Sequence, residues 1–349
     1  MGRYISGMVN TPNYLFEGFP APGETWEIAS GIWWVRMPLP FKLDHVNLWF
    51  FADGEGWTVV DTGVYNEETK LLWAQIEKNH VCPHRPIKRL ICTHYHPDHM
   101  GLAGWFCHRH GISLTTTPDE WMTARLYCLE TQKSKSAQML PFFKKAGFSE
   151  NQMKLVIPRS TQYKSVADMP PHTFKAINAG DVLHINGDRW KVITAEGHSV
   201  KQACLYCSER NILISADQVL PRITPNVSLQ VQEPEGNPLK GFLDSLDQFR
   251  VFPADTLVLP SHGSPFYGLL ERVDNMAKHH KKRIDLVLRA CSQQASGVDI
   301  LKKMFTRELD NHQVFFALGE ALAHVQLLIY EGKIERTIDA NGIYLYKAS

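Results

Sequence analysis

Thr93-His94-Tyr95-His96-Pro97-Asp98-His99-Met100-Gly101 is the stretch on which the reading of this chain turns. Four potential metal ligands, His94, His96, Asp98 and His99, fall within six positions. They follow Leu90-Ile91-Cys92, an apolar run bounded by Arg89 and Thr93 that reads as a short buried strand. A strand that stops at a ligand-rich loop is a rigid platform with an open mouth. On an extended segment His94 and His96 lie two apart and point the same way, so both can grip one ion. Pro97 disfavours a helical conformation at His96 and redirects the chain, which lets Asp98 and His99 face a second ion. Imidazole nitrogen and carboxylate oxygen suit a borderline divalent cation such as zinc.

Outward from that motif, three further apolar runs end in one candidate ligand each. Trp190-Lys191-Val192-Ile193-Thr194 leads to His198, Ile212-Leu213-Ile214-Ser215 to Asp217, and Thr256-Leu257-Val258-Leu259 to His262. Strand ends that carry ligands on loops converge on one rim of a sheet.

With these residues in order, the chain resembles the metallo-β-lactamase superfamily of hydrolases through its His-x-His-x-Asp-His signature and the later His, Asp and His. The likeness covers roughly residues 25–265. It implies an α/β fold, the αββα metallo-β-lactamase sandwich, with the metals at one edge. By that resemblance His94, His96 and His198 hold a first metal and Asp98, His99 and His262 a second. Asp217 and a water or hydroxide bridge the two. The cofactor implied is two divalent metal ions, zinc by default, with iron or manganese tolerating the same donors. The opening Leu48–Phe51, a turn at Ala52–Gly56, then Trp57–Gly63 is also similar to the family's. There Asp61 is expected either to orient the histidine loop by hydrogen bonds or to serve as a turn or cap residue.

The chemistry expected is hydrolysis by a metal-bridging hydroxide, with no Ser-His-Asp or Cys-His nucleophile evident in the sequence. Asp98 is the candidate proton carrier to the leaving group. Tyr95 either hydrogen-bonds a substrate oxygen or packs. The family's antibiotic-degrading members generally lack a carboxylate at the bridging position, so Asp217 argues against a true β-lactamase. A small-molecule carbonyl substrate, a thioester or lactone, is the first expectation, with an endoribonuclease or other phosphodiesterase as the alternative. Lys201 is either an anion contact or a solvated loop lysine.

Composition narrows the rest. The 349 residues suggest about two domains, and a hydrophobic fraction of 44% suffices for a real core. Against 37 Lys and Arg stand 36 Asp and Glu, so no global field favours nucleic acid or a membrane. The seven cysteines are scattered without a disulfide spacing and read as reduced thiols, so a cytoplasmic location is expected. Cys204-Leu205-Tyr206-Cys207 lies in a strand-like run, where positions three apart face opposite sides. Met1–Ser6 carries no secretion signal and only a weak myristoylation likeness. No run approaches the roughly 18 apolar residues of a membrane span.

Residues 1–268 form the expected catalytic domain. Its Pro- and Gly-rich start, 1–24, should wrap the surface. Helices are read over Glu67–Lys78 and Met100–His110. A helical insertion over about 118–170 opens with Pro118-Asp119-Glu120, whose acids suit the helix dipole, and is either a lid or a packing unit. Residues 221–238, with Pro221, Pro225, Pro234 and Pro238, should be an irregular loop bordering the site.

Residues 269–349 change to three helices and a hairpin around Asn341-Gly342, an order that resembles a small winged-helix domain. Nucleic-acid binding is disfavoured there. The helix over 313–331 has no Lys or Arg, and the unit carries 12 Lys and Arg against 10 Asp and Glu. This unit is expected to wall the substrate cleft or to make a homo-oligomer contact.

Overall fold

In the computed structural model, residues 12–156, 162–311 and 313–349 are described; Met1–Ser6 lies outside them. The chain begins with β1 (Asn13–Tyr14), β2 (Thr25–Ala29), β3 (Ile32–Pro38), β4 (His45–Asp53) and β5 (Gly56–Val60). There follow α1 (Glu67–His80), β6 (Ile87–Ile91), α2 (Pro97–Met100), α3 (Ala103–His110) and β7 (Leu114–Thr116). The insertion supplies α4 (Pro118–Leu129), α5 (Gln132–Lys145), α6 (Glu150–Met153) and α7 (Gln162–Val166). Strands return as β8 (Phe174–Ala176), β9 (Val182–Ile185), β10 (Asp188–Ala195), β11 (Gln202–Cys207) and β12 (Ile212–Ala216). Then come α8 (Pro238–Gln248), β13 (Leu257–Pro260), β14 (Phe266–Tyr267) and α9 (Leu269–Ala290). The chain closes with β15 (Ala295–Ser296), α10 (Gly297–Met304), α11 (Gln313–Tyr330), β16 (Ile334–Ile338) and β17 (Tyr344–Ala348).

Two seven-stranded sheets form the body, one ordered β2-β3-β4-β5-β6-β7-β8 and the other β1-β14-β13-β12-β11-β10-β9. The sequence of β4 shows why they stack. His45–Asp53 is an almost unbroken apolar run, as expected of a strand covered on both faces. Leu48 and Phe50 enter the core under the outer helices, with Trp73 of α1 and Phe106 of α3. Trp49 and Phe51 enter the core between the sheets, with Trp190, Leu205, Ile214 and Leu259. The period-two alternation thus feeds two separate cores from one strand. A third core lies outside the second sheet, where Phe242, Val273, Leu318 and Leu322 pack on Ile193, Leu213 and Val258. The layers run helix, sheet, sheet, helix, as the αββα expectation requires.

The structure refines several expectations. The helix read over Met100–His110 is two short ones, α2 and α3, broken at Gly101-Leu102. A Cβ on Gly101 would sit 2.0 Å from the Pro97 carbonyl oxygen and 2.8 Å from that of Gly63, so the backbone is pressed into its neighbours there. Helix α8 lies outside the elements expected, although Leu239, Phe242, Leu246 and Phe249 carry its period behind Asn237-Pro238. Cys204 faces the outer core and Cys207 the inter-sheet core, and all seven cysteines are free.

In the last unit β15, β17 and β16 make a three-stranded sheet, and a capping box of Ser296 and Asp299 starts α10. Helix α11 is not an exposed reading helix. It has the length and hydropathy of a membrane span, yet two thirds of that window (67%) is buried inside the protein. Its one acid, Glu320, meets Arg283 of α9 at 3.1 Å.

Candidate metal centre

All seven anticipated ligands follow strand ends at one edge of the stacked sheets, five on loops and Asp98 and His99 in the short helix α2. His94, His96, Asp98 and His99 follow β6, and His198 follows β10. Asp217 follows β12, and His262 follows β13. The sheets are pinned together at this edge, where Thr93 O accepts Ala203 N–H (2.8 Å) and Ser261 O accepts Asn47 N–H (2.7 Å).

The side chains converge in three groups of ligand atoms, each mutually within 4.8 Å: His94, His96, His198; His94, His99, Asp217; and Asp98, His99, His262. His94 Nε2 and His96 Nδ1 stand 2.9 Å apart. Asp98 Oδ2 is 3.4 Å from both His99 Nε2 and His262 Nε2. Asp217 lies between the two sides: its Oδ2 is 3.3 Å from His198 Nε2 and from His262 Nε2, and its Oδ1 is 3.6 Å from His99 Nε2. His94 and His99 are fully buried, while the Asp98 side chain is 16% exposed and marks the mouth.

Outer partners fix the tautomers. Nδ1–H of His99 donates to Asp61 Oδ2 (2.8 Å), that of His198 to Asn226 O (2.9 Å) and that of His262 to His45 O (2.7 Å). Each bond turns the Nε2 lone pair inward, the usual outer support of a ligating histidine. Asp61 does orient the histidine loop: it also accepts Thr93 N–H (2.7 Å) and Thr93 Oγ1–H (2.8 Å). It does so from a left-handed backbone, φ 64°.

Burial would raise the carboxyls of Asp98 and Asp217, but the neighbouring imidazoles hold both well below their ordinary values. Burial keeps His94 neutral and lowers His96 to about 3. At His99 burial is outweighed by Asp98, Asp61 and Asp217, which raise it.

The donor set fits a pair of cations. His99 Nε2, His198 Nε2 and Asp217 Oδ1 are buried polar atoms without a hydrogen-bond partner, and both imidazole nitrogens face the Asp217 carboxylate, at 3.6 and 3.3 Å. Buried polar atoms are otherwise almost always paired. His94 Nε2 and His96 Nδ1, 2.9 Å apart, stand close enough to share one cation in place of one proton.

Three contributors escaped the sequence. Asn47 donates to Pro260 O (2.8 Å) and Gly263 O (2.6 Å), clasping the loop of His262. Gln202 Oε1 accepts Asp217 N–H at 3.2 Å. Glu120 is wholly buried behind the histidine loop. Tyr95 is 7% exposed; its ring stacks on Tyr127 (5.5 Å) and meets His96 edge-on (4.6 Å). Lys201 is tied through its backbone, to Glu120 and Thr117.

A stacked-sheet fold with a His- and Asp-lined rim of this kind defines a class of metal-dependent hydrolases. Residues 42–262 match the metallo-beta-lactamase superfamily, and residues 284–349 match its metallo-beta-lactamase-like C-terminal domain. The chain belongs to that superfamily.

A crystal structure of a beta-lactamase domain protein from Burkholderia ambifaria is 38% identical, covering 97% of this chain and 98% of its own, with a TM-score of 0.89. A metallo-beta-lactamase family protein from Thermus thermophilus is 25% identical over 93% of this chain and all of its own (100%), TM-score 0.76. Among curated proteins, the probable metallo-hydrolase YqjP of Bacillus subtilis (strain 168) is 21% identical over 89% of this chain and 96% of its own. A linear primary-alkylsulfatase of Pseudomonas sp. is 25% identical over 64% of this chain and 42% of its own.

Proposed function

We propose that this enzyme hydrolyses a small-molecule carbonyl substrate, a thioester or lactone, at a two-metal centre. His94, His96 and His198 would hold one cation, Asp98, His99 and His262 the other, and Asp217 would join them. Zinc is the first choice, with iron or manganese compatible with the same nitrogen and oxygen donors. When bound, such a pair supplies an acidified water and a Lewis acid for the substrate oxygen.

The chain's own part is positional. Its backbone acceptors Asn226 O and His45 O and the Asp61 carboxylate aim the imidazoles. Asp98, the most exposed of the site's carboxylates, is assigned to pass a proton to the leaving group. Tyr95 contributes its ring, which backs His96.

The observation that carries a small substrate is the closed flank of the site. Gln232 of the 221–238 loop donates to Tyr127 Oη of α4 at 2.9 Å, and Tyr127 stacks on Tyr95, whose ring backs His96, so the loop and the insertion meet on that flank. A duplex or folded RNA needs an open, cationic approach, and α11, largely buried and without Lys or Arg, offers none.

The test joins metal analysis to a turnover screen over thioesters, lactones, alkyl sulfates, phosphodiesters and RNA. Chelator-sensitive turnover of a thioester or lactone is expected, with metal and activity lost together in His96→Ala and Asp217→Ala. Two full equivalents of metal retained in both variants would refute the ligand assignment. Tight, strongly salt-sensitive RNA binding with cleavage, and no carbonyl turnover, would refute the substrate class.

A further inference from the structure

Glu120 sits in the first turn of α4 with no exposed surface. Among the described residues no cation pairs with it. Its carboxylate is instead filled by hydrogen-bond donors from two different loops. Oε2 accepts Tyr95 N–H at 2.9 Å, between the ligands His94 and His96. Oε1 accepts Ser199 Oγ–H at 2.7 Å and Lys201 N–H at 2.5 Å, immediately after the ligand His198. Thr117 caps the same helix through Glu120 N–H (3.4 Å) and donates its own hydroxyl to Lys201 O (2.9 Å), so the His198 loop is gripped twice by this one turn. A buried carboxylate without a countercharge is expensive to fold around unless several donors satisfy it. Here the donors, two backbone N–H groups and the Ser199 hydroxyl, belong to the loops on which the three imidazoles ride.

We infer that Glu120 is a positioning residue of the three-histidine side of the metal centre, setting the separation between the His94/His96 loop and the His198 loop. It touches neither the reacting atoms nor the ligands themselves. Asn47 and His45 support the His262 loop and Asp61 holds the shared histidine loop at Thr93 and His99, so among these supports only Glu120 ties the His94/His96 stretch to the His198 loop. In Glu120→Gln one carboxylate oxygen becomes an amide NH2. Either Tyr95 N–H or Lys201 N–H must then face another donor, and the two loops part.

This rests on the metal-centre reading, and the experiment separates the two. Metal-free protein is titrated with Zn2+ against a competing chelator, and His198→Ala marks which binding step belongs to the three-histidine side. In Glu120→Gln that step should weaken about 10–100-fold, the range for a lost outer support, while the other step stays within about threefold. Ser199→Ala removes a single donor and should weaken the same step by less. With Co2+ in place of Zn2+, the visible spectrum of that side should change in both variants. A merely structural Glu120 would shift the unfolding midpoint without favouring one step. Both steps unchanged, or both weakened alike, overturns the inference. Should Glu120→Gln fail to fold, Ser199→Ala decides, and parental affinity at the marked step then overturns it. A parent chain that binds no Zn2+ is a different failure, that of the metal-centre reading itself.

Discussion

Replacing Asp61 by Asn probes how far the metal rim is held from behind. Asp61 is 1% exposed and accepts three hydrogen bonds, from Thr93 N–H, Thr93 Oγ1–H and His99 Nδ1–H, at 2.7 to 2.8 Å. Bonds to an ionised acceptor each contribute about 1.5–3 kcal/mol net, against about 1 for a neutral pair. Asn keeps the shape and tolerates the left-handed backbone at φ 64°, so strain does not confuse the result. Its amide has one acceptor oxygen. Turned towards His99 and the Thr93 hydroxyl, it leaves Thr93 N–H facing an NH2; turned the other way, it abandons His99. At least one buried donor is stranded at about 1–3 kcal/mol, and the remaining bonds lose their charge assistance. The metal-free variant should therefore be about 3 kcal/mol less stable in denaturant unfolding. Metal affinity should fall about 10–100-fold, first on the side held by His99. A variant within about 0.5 kcal/mol of the parent, binding metal as tightly, would refute this account of Asp61.

Three further outcomes follow from named contacts. Asp98→Asn should lower turnover by more than it raises the substrate KM, and an unchanged turnover number would exclude a proton-carrying role. Gly319→Val should destabilise the protein by about 1–3 kcal/mol and slow turnover, because a Cβ there already lies 2.6 Å from Ser228 Oγ; an unaltered unfolding curve would count against that packing. His280 and His324 form a buried pair 3.2 Å apart, with His279, Arg283 and Glu320 around them, and burial lowers them to about 2 and about 4. The unfolded chain takes up these protons below about pH 6.5 and the folded chain does not, so their stabilising share is whole above that pH and is lost as pH falls, towards about 4 for His324 and about 2 for His280. His280→Met should flatten the acid limb of the stability profile by up to about 1.4 kcal/mol per pH unit, and a parallel limb would refute it.

How much of this was legible in the sequence depended on whether the signal was local. The histidine loop, the strand-end ligands and the two-faced burial of β4 all announce themselves through spacing or period. Asp61 was readable because it ends a strand beside that loop. Glu120 reads in the sequence as a helix-dipole acid, and nothing within ten residues says that its carboxylate points inward to Tyr95, Ser199 and Lys201. Asn47 clasps carbonyls more than two hundred positions away, which no local pattern can encode. Helix α8 is the opposite case, a clear period masked by the proline-rich loop that precedes it.

The C-terminal unit takes its meaning from the same loop. Arg272 of α9 is buried and donates to the carbonyls of Leu220 and Ile223 (2.7 Å to the latter) just after Asp217. Further along, Leu229 N–H donates to Gly319 O of α11 (3.0 Å), and Gln326 and Tyr330 both donate to Glu235 O (3.1 and 2.9 Å). Between these anchors lies Asn226, whose carbonyl orients His198. The insertion meets the unit too, through the ring contact of Phe143 with Phe315 (5.1 Å) and the bond from Val298 N–H to Ala146 O (3.0 Å). A ligand of the first three-histidine group is therefore held by a loop that the C-terminal helices brace at both ends. An appended reading head would leave its apolar helix free to meet a partner; this one packs that helix against the loop that carries Asn226.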